Sequence, residues 1–145
     1  MIKPMLAYKV GKKDVDWSGK IFIQPKLDGV RCIFTKDGAF SRTGKQFKNV
    51  AHLEEDLEDF FNDNPNSVLD GELYNHDLKH DFEKIISLVR KTKPTDKDRF
   101  EAGNLVQYHV YDTIAEGVNY EDRYNWLRIN LPIARTMTLI VNTTV

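Results

Sequence analysis

A single cysteine, Cys32, stands in 145 residues, so no disulfide can form within the chain. At an alternating position among apolar neighbours it reads as a small core residue, and an intracellular, reducing setting fits. No stretch approaches the roughly 20 consecutive apolar residues that a membrane helix needs. No basic segment followed by an apolar one opens the chain as a secretory signal would. The expectation is a soluble, cytoplasmic protein with no membrane partner. An excess of either charge is missing too: 21 Lys and Arg against 22 Asp and Glu leave a formal net charge of −1. That excludes binding to nucleic acid by bulk attraction and leaves only local basic patches. Repeats and low-complexity stretches are also absent. What is there is one domain's worth of chain, 41% hydrophobic and 30% charged, long enough to bury its own core.

The pattern along the chain alternates short strands with a few helices. Residues 1–19 are polar, with "VGKKDVDWSG" reading as a loop. Residues 20–24 and 30–35 read as strands flanking Lys-Leu-Asp-Gly. Asp37-Gly38 supplies a hairpin turn, followed by a short strand and a second turn at Thr43-Gly44. From Asn49, an expected N-cap, Val50, Leu53, Leu57, Phe60 and Phe61 fall on one helical face. "SVLDGELYN" reads as a strand. "DFEKIISLVRK" reads as a helix starting at Asp81, with Phe82, Ile85, Ile86 and Val89 on its apolar face. "KTKPTDKDRFEAGN" shows no periodicity and is expected to be a charged loop. "LVQYHVYDTI" alternates as a strand, "YEDRYNWLRINL" makes a short helix and "TLIVNTTV" a last strand. No strand–helix–strand rhythm is evident, so the spacing predicts an antiparallel α+β domain.

Several residues stand out as possible reagents, each with an ordinary reading beside it. In "FIQPKLDGVRCIF" a lysine, Lys26, interrupts apolar surroundings and is followed by Asp28-Gly29 and Arg31. This is either a hairpin with charged shoulders or a placed amine. A free lysine amine titrates near ~10.4 and becomes a nucleophile only where like charge and desolvation disfavour the ammonium form. Arg42, in "SRTG", is a solvated turn charge or an anion contact. Glu72, in "LDGEL", is a surface carboxylate or one that holds Mg²⁺ or a ribose hydroxyl. Tyr108 and Tyr111 lie in a strand, where aromatic rings fill the core or stack on a base. Three positions apart, they fall on opposite faces.

Taken in order, Lys-x-Asp-Gly-x-Arg, Ser-Arg-x-Gly, Asp-Gly-Glu and Tyr111-Asp112 follow motifs I, Ia, III and IIIa of the covalent nucleotidyltransferases. The chain resembles the adenylation domain of ATP-dependent DNA ligases, the small phage-type enzymes in particular. "PMLA", Pro4 to Ala7, is similar to the segment just ahead of that domain in ligases, and the helix at Asp81 lies where the family carries one. The resemblance runs from about Lys3 to Val145. It implies an α+β fold of antiparallel sheets flanked by helices, the ATP-grasp-like nucleotidyltransferase architecture. RNA ligases, capping-type nucleotidyltransferases and an inactive remnant that only binds nucleotide or DNA are the alternatives.

The resemblance also implies roles. Lys26 attacks the α-phosphate of ATP to give a lysyl-adenylate, with AMP then passed to the 5′-phosphate of nicked double-stranded DNA for sealing in replication, recombination and repair. Arg31 and Mg²⁺ offset charge at phosphorus, and Gly29 allows a tight turn beside the nucleotide. Arg42 contacts ribose or the nick phosphate, Glu72 the ribose hydroxyl or the metal, and Tyr111 stacks on adenine. Gln24 stands where the family often has a glutamate meeting the adenine amino group. Its carbonyl can accept that bond, but it adds an amide donor and lacks the charge. "EGVNY" follows Tyr111 too closely, and without a basic end, to be motif IV, and reads as a turn. The expectation is therefore a domain, 1–145, that stops short of motif IV, with motif V and the oligonucleotide-binding domain absent and a separate C-terminal ligase chain as a possible partner.

Overall fold

The computed structural model describes residues 2–6, 9–11, 15–139 and 143–144. Seven strands and five helices are formed among them. Strand β1 (Phe22–Ile23) pairs antiparallel with β7 (Thr143–Thr144) in a small sheet of its own. The larger sheet has the order β3 (Gly38–Phe40), β2 (Val30–Thr35), β4 (Leu69–Tyr74), β5 (Gln107–Thr113) and β6 (Met137–Leu139). The β2–β3, β2–β4 and β4–β5 pairs are antiparallel. The β-branched and aromatic residues of "VRCIFT" suit the interior position of β2, between β3 and β4.

Helices α1 (Ala51–Asp56), α2 (Glu58–Asp63), α3 (Phe82–Val89), α4 (Asp96–Leu105) and α5 (Tyr120–Asn130) share one core with the sheet. Cys32, Phe34, Leu69, Leu73, Tyr108 and Val110 supply its sheet side; Leu53, Leu57, Phe60, Phe61, Ile85, Leu88, Val89, Ala102 and Leu127 supply the helical side. Each such fully buried aliphatic or aromatic side chain contributes on the order of 1.5–3 kcal/mol. By the strand registers, Arg31, Asp70, Glu72 and His109 alternate onto the opposite face. The sheet therefore has an apolar face under helices and a polar face that carries the site.

Several expectations are corrected. The strands on either side of Lys26 do not form a hairpin: β1 pairs with β7 and β2 with β3 and β4, so Lys-Leu-Asp-Gly is a link between two sheets. Asn49 does not cap α1. Val50 holds the cap position, while the Asn49 amide donates to the carbonyls of Leu88 and Asp98, tying α3 and α4 together. The apolar face from Val50 to Phe61 is buried as expected, but Leu57 breaks it into two helices. Asp81 occupies the α3 cap position without a side-chain cap bond; Phe82 is exposed, Ile86 is half-buried, and Leu88 takes the core place.

The charged stretch 91–104 is not a loop, because its second half forms α4. A capping box starts it, with Asp98 N–H donating to Thr95 Oγ1 at 3.1 Å and Thr95 N–H to Asp98 Oδ2 at 2.9 Å. Ala102 is its buried residue, which is why no apolar period marks it. The last segment divides between β6 and β7 in different sheets, and residues 140–142 and 145 lie outside the described residues. Strand β6 runs parallel to β5, so β5–α5–β6 is a strand–helix–strand unit in an otherwise antiparallel sheet. Glu116-Gly117 is a turn, with Gly117 at φ 75°.

Candidate active site

Lys26 stands on the link from the small sheet to the large one with its side chain 85% exposed, 3.8 Å from the Asp28 carboxylate. It lines a cleft of about 440 Å³ together with Leu27, Asp28, Gly29, Arg31, Glu72, Lys79 and Phe82. Three of the residues marked in the sequence, Lys26, Arg31 and Glu72, thus share one cleft. Lys79 and Phe82 join them without local signal, brought in by the 3-10 turn His76–Leu78 and the start of α3.

Gly29 does not have a positive φ among the described glycines; its requirement is space. A Cβ there would lie 2.4 Å from the Leu73 carbonyl oxygen and 3.1 Å from Glu72 Oε2. Only glycine lets the link descend this closely onto β4. That approach sets the link beside the Glu72 carboxylate.

Behind the cleft, Arg31 makes a two-pronged pair with Asp70, Nε to Oδ1 and Nη2 to Oδ2, each 2.7 Å. Partial burial works against the Arg31 charge, but Asp70 outweighs it and holds the guanidinium more firmly protonated than usual. Its guanidinium lies 5.2 Å from the centre of the Tyr111 ring. Tyr111 donates to Glu72 Oε1 at 3.3 Å. Burial pushes the Glu72 carboxyl up to about 7, against the Tyr111 hydroxyl and the Arg31 charge, which pull it down. Glu72 therefore lies close to half-ionised at neutral pH. Burial likewise raises the Tyr111 phenol, so it stays a donor.

Tyr111 shares this face with His109 by ordinary strand alternation, and a β-bulge falls at its position. Asp70 pairs with Asp112 and Gly71 with Val110, so Tyr111 is an extra residue opposite no partner. A regular strand would send Tyr111 and Asp112 to opposite sides. Tyr108 and Val110 stay in the core, and the bulge brings Asp112 onto the polar face beside Tyr111. Tyr108 is fully buried and donates to the Cys32 carbonyl at 3.0 Å, so the two tyrosines do face opposite ways. Asp112 is held by Arg123 of α5, at 2.9 and 3.2 Å, and Arg123 also donates to the Val118 carbonyl at 2.7 Å.

Gln24, Arg42 and Tyr111 are not among the cleft-lining residues. Gln24 donates from Nε2 to the Tyr120 hydroxyl at 2.9 Å, and Tyr120 donates to the Tyr111 carbonyl at 3.1 Å. Gln24 is thus tied to the backbone of Tyr111. Arg42 is exposed on the turn Ser41–Lys45, which closes through Lys45 N–H to Ser41 Oγ at 3.0 Å. Sequence reasoning marked Asp70 and Asp112 only as members of the Asp-Gly-Glu and Tyr-Asp motifs, without their arginine partners, and missed Tyr120 and Arg123, whose contacts carry no local pattern.

No group of three or more His, Cys, Asp or Glu residues able to hold a metal occurs among the described residues. Magnesium needs no such group: one or two carboxylates with waters and substrate phosphates suffice. Glu72 is a cleft carboxylate with no ion pair among the described residues, whereas Asp70 and Asp112 are taken by arginines. The donor set fits a Mg²⁺ completed by its substrate.

The family model of the ATP dependent DNA ligase domain matches residues 4–145, and the chain belongs to that family. Among solved structures it is similar to a Lig E DNA ligase at 21% identity and a TM-score of 0.72, over 100% of this chain and 52% of that one. It is also similar to the Chlorella virus DNA ligase-adenylate, at 20% identity, a TM-score of 0.68 and coverage of 100% and 52%. The ligase domain of Mycobacterium tuberculosis LigD follows at 22% identity and a TM-score of 0.54, covering 97% of this chain and 46% of that one. These likenesses show a shared fold, and the chain spans about half the length of each. No curated protein sequence matches the chain. No helix among the described residues is long and apolar enough to cross a membrane.

Proposed function

We propose that the chain is the adenylation module of an ATP-dependent DNA ligase and that Lys26 is its nucleophile. The observation that carries this is the placement of an exposed lysine on a glycine-tightened link, facing a cleft walled by Arg31, Glu72 and Lys79. The neutral Lys26 amine forms a bond from Nζ to the α-phosphorus of ATP. The bond from that phosphorus to the oxygen bridging to the β-phosphate breaks, and pyrophosphate leaves with the electron pair. The amine proton passes to solvent. AMP is then transferred to the 5′-phosphate of a DNA nick, and the 3′-hydroxyl displaces it to close the strand.

In this reading Arg31, kept charged and rigid by Asp70, faces charge developing at phosphorus without reorganising. Glu72 contacts the ribose hydroxyl or holds Mg²⁺, which would neutralise phosphate charge when bound. Tyr111 carries the adenine ring, Gln24 meets its edge, and Arg42 meets ribose or the nick phosphate from its turn. A role in replication, recombination or repair in the cytoplasm, and one in a phage-type enzyme, follow from the same reading. So does completion of the site by sequence outside residues 1–145, from a further domain or a separate C-terminal chain.

The test is retention of label on a denaturing gel after incubation with α-labelled ATP or GTP. Label from ATP, stable to base and labile to acid, is the expected result. Label from GTP would make the chain a capping-type enzyme. Label from neither, with nucleotide still bound, would leave a binding module and refute the covalent step.

A further inference from the structure

Gln24 and Tyr120, 96 positions apart, form a relay with the backbone of Tyr111: Gln24 Nε2 to Tyr120 Oη at 2.9 Å, then Tyr120 Oη to Tyr111 O at 3.1 Å. Chemistry fixes the direction of this relay. A backbone carbonyl can only accept, so the one phenol proton is committed to Tyr111. The phenol oxygen then has only lone pairs to offer Gln24, and only the amide NH₂ can meet them. The amide oxygen of Gln24 must therefore face away from Tyr120, and it has no hydrogen-bond partner among the described residues. The Tyr120 ring is itself fixed, with Phe22 edge-on at 5.4 Å and the Arg123 guanidinium 5.3 Å from its centre.

We propose that Tyr120 is a specificity-determining positioning residue, which sets the Gln24 amide so that an acceptor faces the nucleobase edge and a 6-aminopurine is preferred to a 6-oxopurine. The inference rests on the proposed reading of Tyr111 as the base platform and of Gln24 as the contact to the base edge. A free glutamine amide can turn either end to a base and reads neither. Held by Tyr120, it presents only oxygen. Adenine offers a donor at position 6, which that oxygen accepts; guanine offers a second acceptor, and two facing acceptors leave both unpaired. Tyr120 would not touch the nucleotide. Its effect passes through Gln24 alone.

The experiment is calorimetric binding of ATP and of GTP, without turnover, to the wild-type chain, to Tyr120→Phe and to the double variant Gln24→Glu/Tyr120→Phe. The wild type is expected to favour ATP by roughly tenfold, the scale set by one mismatched hydrogen-bonding group. Tyr120→Phe should bring the ratio toward parity, because the released amide can turn to meet guanine. The double variant should recover the ATP preference, since a carboxylate presents an acceptor whichever way it faces. A Tyr120→Phe variant that keeps the wild-type ratio overturns the proposal. So does a double variant that fails to recover it, which would mark Tyr120 as merely structural. A wild type that binds both nucleotides equally also overturns it while leaving the adenylation reading standing; one that binds neither removes that reading as well. Should Tyr120→Phe not fold, the wild type still decides by NMR. Gln24 Nε2 protons without nuclear Overhauser contact to the Tyr120 ring refute the relay, and such contact supports it.

Discussion

Replacing Glu72 by glutamine removes a half-buried cleft carboxylate with no ion pair among the described residues, and it should change how stability depends on pH. Burial holds the Glu72 carboxyl at about 7 in the folded protein, against an ordinary value of 4.5. Below pH 4.5 the group is protonated in both folded and unfolded chains, and its favourable contribution is complete. Between 4.5 and about 7 the unfolded chain releases the proton while the folded one keeps it, so stability falls as pH rises; above 7 the contribution is gone. The gap corresponds to roughly 3 kcal/mol at about 1.4 kcal/mol per pH unit. The partial exposure of the carboxylate reduces this to about 1–2 kcal/mol. Glutamine does not titrate, so Glu72→Gln should gain about 1–2 kcal/mol on the wild type between pH 5 and pH 8. Urea unfolding of both proteins at the two pH values measures it, and taking the difference cancels the other titrating groups. A wild-type-to-variant difference that does not change with pH would refute the argument, as would one that moves in the wild type's favour.

Lys26→Ala should abolish covalent labelling from ATP while altering stability by less than about 0.5 kcal/mol, because the side chain is exposed; acid-labile label on the variant would point to another nucleophile. Tyr111→Ala should weaken ATP binding by about 1–3 kcal/mol, the usual worth of base–aromatic stacking. Tyr108→Ala should instead destabilise the fold by about 3–5 kcal/mol through a core cavity; equal losses of nucleotide affinity in the two variants, at matched stability, would contradict the assignment of faces. The 145-residue chain alone should not seal a nicked duplex in a gel assay, as it spans about half of the ligases it resembles; ready sealing would show that these residues suffice.

The parts legible in the sequence were those with a local signature. Val50, Leu53, Leu57, Phe60 and Phe61 announced a helical face because all five are buried on it. Asp37-Gly38 and Thr43-Gly44 announced turns, and both glycines have positive φ. Helix α4 was missed because a helix that buries little has no apolar period; its legible signal was the Thr95–Asp98 capping box. The bulge at Tyr111 involves neither glycine nor proline in β5, so nothing in "YHVYDT" marks it. The cleft was legible in its members Lys26, Arg31 and Glu72, which strand ends and turns flag. Its supports were not, since Arg31–Asp70, Asp112–Arg123 and Gln24–Tyr120 are set by tertiary packing across 39, 11 and 96 positions.

The pairing of Phe22 with Thr144 and Ile23 with Thr143 has a consequence for the order in which the protein is made. The strand just ahead of Lys26 is made about 120 residues before the segment that pairs with it. At ~5–20 residues per second, that is roughly 6–24 s in which this strand lacks the partner it pairs with in the fold. Strands β2 to β5 can pair over this time, while β6 and β7 arrive together at its end. A growing chain would thus hold much of its core before it holds a fixed lysine, and unpaired Phe22–Ile23 would be the segment open to a chaperone in the interval.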